Sequence, residues 1–272
     1  MNSNEVKFIA DIGSNHNGYF QRCKNLILSA KDAGCWGIKL QLFKGDKLYL
    51  NATEDLENCL KERELPIEWL PGIKKICKDN NIKFGCSPFY IEAVDELKDY
   101  VDFLKISSFD IVRTNLIQKC IDTELPMMVS LGLIEDEREI RSILGIRDLV
   151  LFHCVSNYPT FPKQVNLINI KYLSHRFGFD VGWSDHTVQP GVIHQAVANG
   201  AKYIEFHLDG EDGNGWESHA GHCWDSYKIR NVIDTVKIMK VANGDDYGND
   251  LFRKNKNITK RANGKTGLRE YF

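Results

Sequence analysis

Short apolar runs alternate along this chain with longer segments that carry apolar residues on one face. The runs are rich in β-branched and aromatic residues, which is typical of strands buried on both faces. We place eight strands at residues 6–12, 36–43, 82–87, 103–106, 127–130, 148–154, 181–187 and 202–208. The segments between them have apolar positions three or four residues apart and predict helices, such as 20–33, which Gly34 would end.

Regular alternation of strands and helices predicts a parallel sheet. Eight strand–helix units in a chain of 272 residues match a (β/α)₈ TIM barrel, an α/β fold with a single domain. An open doubly wound sheet is the alternative, although the sequence has neither its glycine-rich pattern nor a Walker pattern. We expect the barrel at 1–241, with a polar loop at 211–223 and a closing helix at 224–241, followed by a C-terminal tail at 242–272.

Polar side chains stand at, or just beyond, the C-terminal ends of the predicted strands. A buried strand does not accept such groups without partners, but the C-terminal ends of barrel strands form the face that carries active sites. The most polar run is Ser184-Asp185-His186-Thr187, at the end of strand seven. The whole set comprises Asp11, Lys39, Gln41, Ser87, Lys105, Ser108, Ser130, Ser156, Ser184, His186, Glu205 and His207. We therefore expect these side chains to share one pocket.

Two lysines of this set, Lys39 and Lys105, lie within predicted strands, where an unpaired ammonium group is costly to bury. A small ligand with several negative charges would satisfy both. Serine hydroxyls at 108, 130, 156 and 184 would add donors suited to phosphate oxygens. The alternatives are an internal ion pair of each lysine with Asp11 or Glu205, and a turn or helix-cap role for any single serine.

Two histidines, His186 and His207, follow neighbouring strands and could converge on one divalent metal ion. Asp11 or Glu205 would add a carboxylate ligand, and such a mixed set suits Mn²⁺ first, with Mg²⁺ or Co²⁺ as alternatives. A hydrogen-bonded pair of core histidines is the other interpretation. Weaker metal candidates are His16, His153, His219 and His222.

The composition adds exclusions. The net charge of −2 provides no general attraction to nucleic acid. No apolar run approaches the roughly 20 residues of a membrane span, and the first residues lack a signal-peptide pattern. The eight cysteines form no C-x-x-C pair, which favours free thiols in a reducing compartment. We expect a cytoplasmic protein without nucleic-acid or membrane partners.

Several motifs resemble those of the sialic acid (N-acetylneuraminate) synthase family, in order and at the proper spacing, from about residue 6 to 240. They are FIADIGSNHNG at 8–18, KLQLFK at 39–44, CSPF at 86–89, FLKISS at 103–108, HCVSNYPT at 153–160, GWSDHT at 182–187 and EFH at 205–207. Together these motifs are specific to that family. The resemblance implies a (β/α)₈ barrel that condenses phosphoenolpyruvate with a sugar aldehyde, such as N-acetylmannosamine, and releases phosphate.

The resemblance also implies a role for each matching residue. Lys39, Ser87 and Lys105 would bind the carboxylate of phosphoenolpyruvate, and Ser108, Ser130, Ser156 and Ser184 would bind its phosphate. His186 and His207 would hold the metal, with Asp11 in place of the family's first-strand glutamate, and Gln41 and Tyr158 would contact the sugar. The metal or a carboxylate such as Glu205 would activate the water that attacks C2.

Three departures from the family pattern affect the acceptor. Asp11 is one methylene shorter than glutamate, and NGWESH at 214–219 replaces the usual P-G-P-D loop. No segment resembles the small C-terminal antifreeze-like domain, which in relatives reaches across a dimer and helps recognise the acyl group. We therefore leave the acceptor sugar open and expect a homodimer, with a separate partner chain in place of that domain as an alternative.

Two other classes of protein fit the same residues. One is a metal-dependent aldolase or sugar-phosphate isomerase with the same anion pocket. The other is a catalytically silent barrel that acts as a binding subunit. Release of inorganic phosphate from phosphoenolpyruvate and an aldehyde would separate the synthase from both, and failure to bind Mn²⁺ would favour the silent barrel.

Overall fold

The computed structural model describes residues 5–243, in which eight parallel strands follow one another around a closed barrel. Strands β1 to β8 span Lys7–Asp11, Gly37–Leu42, Lys83–Pro88, Phe103–Ile106, Met127–Ser130, Leu149–Cys154, Asp180–Asp185 and Tyr203–Asp209. β1 pairs with β8, from Lys7 opposite Tyr203 to Asp11 opposite His207, and this pairing closes the barrel. The predicted (β/α)₈ barrel is confirmed, and the open sheet is excluded.

Helices connect consecutive strands and cover the outside of the barrel. Helices α1 to α10 span Phe20–Ala33, Gly45–Leu48, Glu54–Lys61, Leu70–Asp79, Ile91–Leu97, Thr114–Ile121, Glu137–Arg141, Asn169–Phe177, Pro190–Ala198 and Ser226–Asn243. Short 3₁₀ turns lie at Ile67–Trp69, Pro162–Gln164 and Ser218–Ala220. α1 has the predicted bounds, because its apolar stripe is buried and Gly34, with φ of 94°, ends it in a left-handed conformation.

The barrel interior has two layers. The lower layer is a separate apolar cluster, which we call the apolar floor: Ile9, Phe103, Met128, Val150, Phe152 and Tyr203. Two residues further along β1, β4, β5 and β8 stand Asp11, Lys105, Ser130 and Glu205, which line a cavity above it. Alternate residues of a strand share a face, so each of these four strands contributes one apolar and one polar side chain to the interior. The floor therefore closes the cavity from below.

The region after β8 differs from the prediction. Residues Cys223–Asp225 form a ninth strand, β9, parallel to the end of β8, with Cys223 opposite His207. Helix α10 consequently begins at Ser226 rather than at residue 224. Trp224 is buried, and its Nε1 donates a hydrogen bond to Asp185. The sequence did not indicate β9 because three residues are too short to carry a strand period.

The predicted tail at 242–272 lies outside the described residues, apart from 242 and 243, which are the last residues of α10. Among residues 5–243, all eight cysteines are free thiols, and Cys86 and Cys154 are buried as expected. No helix in this part of the chain is long and apolar enough to cross a membrane.

Candidate active site

A cavity of about 400 Å³ opens at the C-terminal ends of the strands, above the apolar floor. The candidate residues that line it are Asp11, Lys39, Gln41, Ser87, Lys105, Ser108, Ser130, Tyr158, Ser184, His186, Glu205 and His207. Ser156 does not line the cavity directly, but its Oγ lies 2.7 Å from Oγ of Ser108. The polar strand ends of the sequence therefore meet in one place.

The polar run at the end of β7 divides between two faces. Ser184 and His186 line the cavity, whereas Asp185 points away and accepts hydrogen bonds from Trp183 Nε1 at 3.1 Å and Thr187 Oγ1 at 2.7 Å. Burial raises the pKa of the Asp185 carboxyl, and these hydrogen bonds oppose that shift. Only alternate residues of the run therefore face the cavity, because successive residues of a strand point to opposite sides.

Both cavity lysines have carboxylate partners. Nζ of Lys39 lies 2.6 Å from Oδ2 of Asp11, which also accepts from Gln41 Nε2 at 3.1 Å. Nζ of Lys105 lies 3.5 Å from Oε2 of Glu205. Burial alone would lower the pKa of Lys39, but Asp11 and Glu205 outweigh it and raise that pKa. The ion pairs that the sequence left as an alternative are therefore present, and burial of the ammonium groups alone does not require a ligand.

Each lysine nevertheless keeps donor capacity. An ammonium group has three N–H donors. Besides its carboxylate, Lys39 donates to Ser87 Oγ at 3.4 Å, and Lys105 donates to Ser130 Oγ at 2.5 Å. Within the described residues, at least one N–H of each lysine is left for a ligand.

Glu205 is buried on the interior face of β8. Its Oε1 accepts from Ser184 Oγ at 3.1 Å. Its Oε2 has no hydrogen-bond partner in the described part of the chain. Burial opposes ionisation of this carboxyl, but Lys105 and Lys39 together lower its pKa below the usual value. Glu205 is therefore a carboxylate with one oxygen free of hydrogen bonds, beside a cavity.

The two predicted metal-binding histidines lie side by side, with ring centroids 5.5 Å apart. The Tyr158 ring packs on His186 at 4.2 Å. His186 Nδ1 is 2.8 Å from the carbonyl oxygen of Val155. A carbonyl only accepts, so Nδ1 carries the proton and Nε2 keeps a lone pair. Burial, followed by the nearby His207, lowers the pKa of His186 to about 3, which keeps its ring neutral.

A further group forms around His207 from residues that follow β8. His207, Glu217 and His222 each place one ligand atom within 4.8 Å of the others. His207 Nδ1 donates to Glu217 Oε2 at 2.6 Å, and the His207 and His222 rings are 4.5 Å apart. Burial lowers the pKa of His207, but Asp11 and Glu217 outweigh it and raise that pKa. Sequence reasoning ranked His222 as a weaker candidate and did not single out Glu217.

These residues fit a divalent transition metal. Imidazole nitrogens combined with a carboxylate oxygen are the donors that such ions take in proteins. His222 Nδ1 is buried and has no hydrogen-bond partner among residues 5–243. Burial and the nearby His207 lower the pKa of His222 to about 4, so its ring is neutral at pH 7. The other weaker candidates do not join the group: His153 Nε2 lies 2.7 Å from the Val165 carbonyl oxygen, His16 lies outside the cavity lining, and His219 is exposed.

The loop between β8 and β9 is held against the segment after β1. Glu217 Oε1 accepts from Ser14 N at 2.7 Å and Ser14 Oγ at 3.0 Å. Glu217 N donates to Asn15 Oδ1 at 2.8 Å. Gly13 has a φ of 50°, and a Cβ at that position would collide with the Glu217 carboxylate. The chain thus leaves room for this carboxylate and fixes it with donors from a distant loop.

The fold and cavity define a class: a TIM barrel whose site at the C-terminal strand ends combines buried ammonium groups, serine hydroxyls, carboxylates and imidazoles. Within that class, this chain belongs to the NeuB family, whose model matches residues 26–247. The expected relation to the sialic acid synthase family is thereby confirmed.

Named relatives cover most of the chain. The N,N'-diacetyllegionaminic acid synthase of Legionella pneumophila is 31% identical over 260 residues, covering 87% of this chain and 72% of that protein. The pseudaminic acid synthase of Campylobacter jejuni is 30% identical over 267 residues, covering 89% and 76%. Among solved structures, the N-acetylneuraminic acid synthetase of Leptospira borgpetersenii, in complex with citrate, matches with a TM-score of 0.83 at 27% identity, covering 89% of this chain and 86% of that one.

Proposed function

We propose that this chain is a synthase that condenses phosphoenolpyruvate with a sugar aldehyde to a 2-keto-3-deoxy sugar acid and releases inorganic phosphate. Relatives in its family are named as synthases of N,N'-diacetyllegionaminic, pseudaminic and N-acetylneuraminic acids. These names support the reaction class. Because they differ from one another, they leave the acceptor open, and N-acetylmannosamine and related aldoses are the first to test.

The observation that carries the proposal is the concentration of anion donors above the apolar floor. Lys39 and Lys105 each keep an N–H for a ligand, and serine hydroxyls stand beside both ammonium groups. The floor keeps this layer away from water on one side: Nζ of Lys105 lies 4.9 Å from the centroid of the Phe152 ring. Charge-assisted hydrogen bonds of this kind are the strong ones for carboxylate and phosphate oxygens.

In this proposal the residues divide by the part of the substrate that they bind. The carboxylate of phosphoenolpyruvate is assigned to Lys39, Ser87 and Lys105, its phosphate to Ser108, Ser130, Ser156 and Ser184, and the sugar to Gln41 and Tyr158. The link between Lys105 and Ser130 supports a position for Lys105 between the carboxylate and phosphate groups.

The reaction joins C3 of phosphoenolpyruvate to the aldehyde carbon, and the aldehyde oxygen takes up a proton. Water captures the positive charge left at C2 and gives a proton to a base. The tetrahedral carbon then expels inorganic phosphate and becomes the keto group. Glu205 suits the base because it stays ionised beside two lysines and its Oε2 lacks a hydrogen bond among residues 5–243. General-base catalysis of this kind contributes roughly 10²–10⁴-fold.

A divalent metal ion is part of the proposal, with Mn²⁺ first and Mg²⁺ or Co²⁺ as alternatives. His186 and His207 would hold it, near Asp11, whose Oδ2 lies 3.9 Å from His207 Nδ1. When bound, the ion would act as a Lewis acid on the aldehyde oxygen. The homodimer, the separate partner chain and the cytoplasmic location remain predictions.

The decisive experiment incubates the protein with phosphoenolpyruvate, Mn²⁺ and a panel of aldoses, and measures inorganic phosphate together with product mass. A synthase yields phosphate and an acid in equal amounts for at least one aldose. Turnover of sugars or sugar phosphates without phosphate release would instead identify an aldolase or isomerase. No turnover of any kind would favour the silent barrel.

Two single-lysine variants, one in the cavity and one on the surface, test the site itself. We expect Lys105→Ala to lower phosphate release by roughly 10²–10³-fold or more, because it removes a buried donor to the reacting anion. Lys171→Ala, on the exposed side of α8, is the matched control and should keep wild-type turnover. Circular dichroism checks that both variants fold. Full turnover by Lys105→Ala would remove the proposal.

A further inference from the structure

We propose that the loop between β8 and β9 supplies two ligands of the metal site, Glu217 and His222, which join His207 and His186. The inference rests on the proposed function for what the metal does, but the binding itself is measured without substrate. It adds to the two-histidine site that the family resemblance implies. Three of the four groups are assembled: ligand atoms of His207, Glu217 and His222 all lie within 4.8 Å of one another.

The ring of His222 is placed for metal binding and makes no hydrogen bond within residues 5–243. It is packed among the other imidazoles and Tyr158, with ring centroids 4.5 Å from His207, 6.4 Å from His186 and 5.1 Å from Tyr158. Its Nδ1 is buried without a hydrogen bond in residues 5–243. A buried polar atom without a partner costs free energy. A metal ion among these rings would remove that cost.

Glu217 is held where a ligand is needed. Ser14 fixes one carboxylate oxygen, and Oε2 lies 2.6 Å from His207 Nδ1, so a metal ion bound to both atoms would replace the proton that Nδ1 donates to Glu217. The backbone on either side is fixed as well: Trp216 N donates to Asn17 Oδ1 at 3.0 Å, and Gly215 N donates to Asp209 Oδ2 at 2.7 Å. Metal ligands that are oriented by such neighbours bind more tightly than free ones. The arrangement is that of a prebuilt site rather than a surface cluster.

The charge balance of the cavity, taken with the proposed substrate, gives a further reason for a cation here. Four carboxylates line it, on Asp11, Asp110, Glu205 and Glu217, against three permanent cations, on Lys39, Lys105 and Arg113. Phosphoenolpyruvate brings a carboxylate and a phosphate, roughly two to three further negative charges. A bound divalent ion offsets at least half of that excess. The cavity therefore suits the anionic substrate better with the metal in place.

The donor set also selects the ion. Three imidazoles and one carboxylate favour transition-metal ions, with Co²⁺ bound more tightly than Mn²⁺, over Mg²⁺, which prefers oxygen ligands and retains its water. We therefore expect Mn²⁺ and Co²⁺ to bind at least about tenfold more tightly than Mg²⁺.

The test is calorimetric titration of the full chain with MnCl₂, in the absence of substrate. We expect His222→Gln and Glu217→Gln each to weaken binding by at least about tenfold. Glutamine at 217 keeps an oxygen that can accept from His207 but loses the charge of a ligand. His219→Gln, an exposed histidine of the same loop, is the control and should bind like the wild type. Pulsed electron paramagnetic resonance of bound Mn²⁺ should lose one nitrogen coupling in His222→Gln.

The outcomes separate this inference from the proposed function. Wild-type Mn²⁺ affinity and an unchanged nitrogen count in His222→Gln would overturn the inference, even if the enzyme releases phosphate. Loss of affinity in both loop variants would support it, even if no aldose in the panel reacts. Thermal melting identifies a variant that does not fold, and His222→Asn then replaces it.

Discussion

At the scale of the residue, the position of a side chain along its strand decides whether it joins the apolar floor or lines the cavity. Phe103 and Lys105 are two residues apart on β4, and Tyr203 and Glu205 have the same spacing on β8. The first member of each pair joins the apolar floor and the second lines the cavity. Because alternate residues share a face, a single strand supplies both an apolar side chain below the site and a charged side chain within it.

His16 offers a test of how burial tunes a single ring. It is fully buried, and burial lowers its pKa from 6.5 to about 4, against the opposing effect of Glu217. As the pH falls from 6.5 toward 4, His16 therefore binds a proton in the unfolded chain but not in the folded chain. Stability is lost across that window, by about 3 kcal/mol in all.

We expect His16→Asn to reduce this acid loss, because asparagine does not titrate and can still accept from the backbone two residues on. The measurement is the free energy of unfolding in urea at pH 7 and pH 4, and the quantity compared is the difference between the two. His175→Asn, at an exposed position on α8, is the control. A difference as large in His16→Asn as in the wild type would contradict the explanation.

At the scale of the element, the β8–β9 connection is the part that links the site to the rest of the fold. Asp209, at the end of β8, is its anchor: it accepts from Arg22 Nη2 at 2.6 Å and from Gly215 N at 2.7 Å, and it contacts the Ser218 hydroxyl. Arg22 stands on α1, so the first helix helps to position the last loop. The shape of the loop therefore depends on a contact between two residues, Arg22 and Asp209, that are 187 positions apart in the sequence.

We expect Asp209→Ala to release this loop. The substitution removes the acceptor of Arg22 Nη2 and of Gly215 N, while Arg22 keeps Asp212 as a partner, so we expect a cost of roughly 1.5–3 kcal/mol. Hydrogen exchange should rise in peptides that cover 210–222, and Mn²⁺ affinity should fall with it. Asp234→Ala breaks an exposed pair with Lys237 and is the matched control, with little change in either measurement. Unchanged exchange in the loop would argue against an anchoring role for Asp209.

At the scale of the whole molecule, closure of the barrel depends on small residues opposite large ones. Gly85 faces Phe103 across β3 and β4, and Gly182 faces Phe152 across β6 and β7. A Cβ at Gly182 would lie 2.6 Å from the Phe152 ring. The aromatic floor fits inside the barrel because its neighbours have no side chain.

We expect Gly182→Ala to lower the free energy of unfolding by about 1–3 kcal/mol through overpacking. Phe152→Leu introduced together with it should recover part of that loss, which a double-mutant cycle measures. Gly191→Ala, in the first turn of α9, meets nothing within 4 Å and should be neutral or stabilising by up to about 1 kcal/mol. If the substitutions at 182 and 152 change the free energy of unfolding additively, there is no steric coupling between the two sites and the overpacking explanation is wrong.

The barrel could be predicted because its signals are local. The apolar run of β4 and the apolar stripe of α1 each lie within one short stretch of sequence, and their predicted bounds match the structure. The motifs that indicate the family are equally local. The set of polar residues at the strand ends followed from the same strands, because parallel strands of a barrel end on one face.

Contacts across distant segments could not be predicted in this way. The sequence left Lys39 open between an anion and an ion pair, and only the distance to Asp11 shows the pair. Glu217 lay in a segment predicted as polar loop, and nothing in its spacing from His207 marks it as a neighbour. β9 and the contacts of Asp209 bring the two together.

The sequence by itself determined the strands, their order and the face on which the chemistry gathers, because hydrophobic periodicity and strand alternation act over short stretches. Only the tertiary structure decided which charges pair, which polar residues turn outward, and that Glu217 and His222 stand beside His207. Those outcomes depend on the path of a loop and on the closure of a barrel, which arise from contacts between residues far apart in the chain.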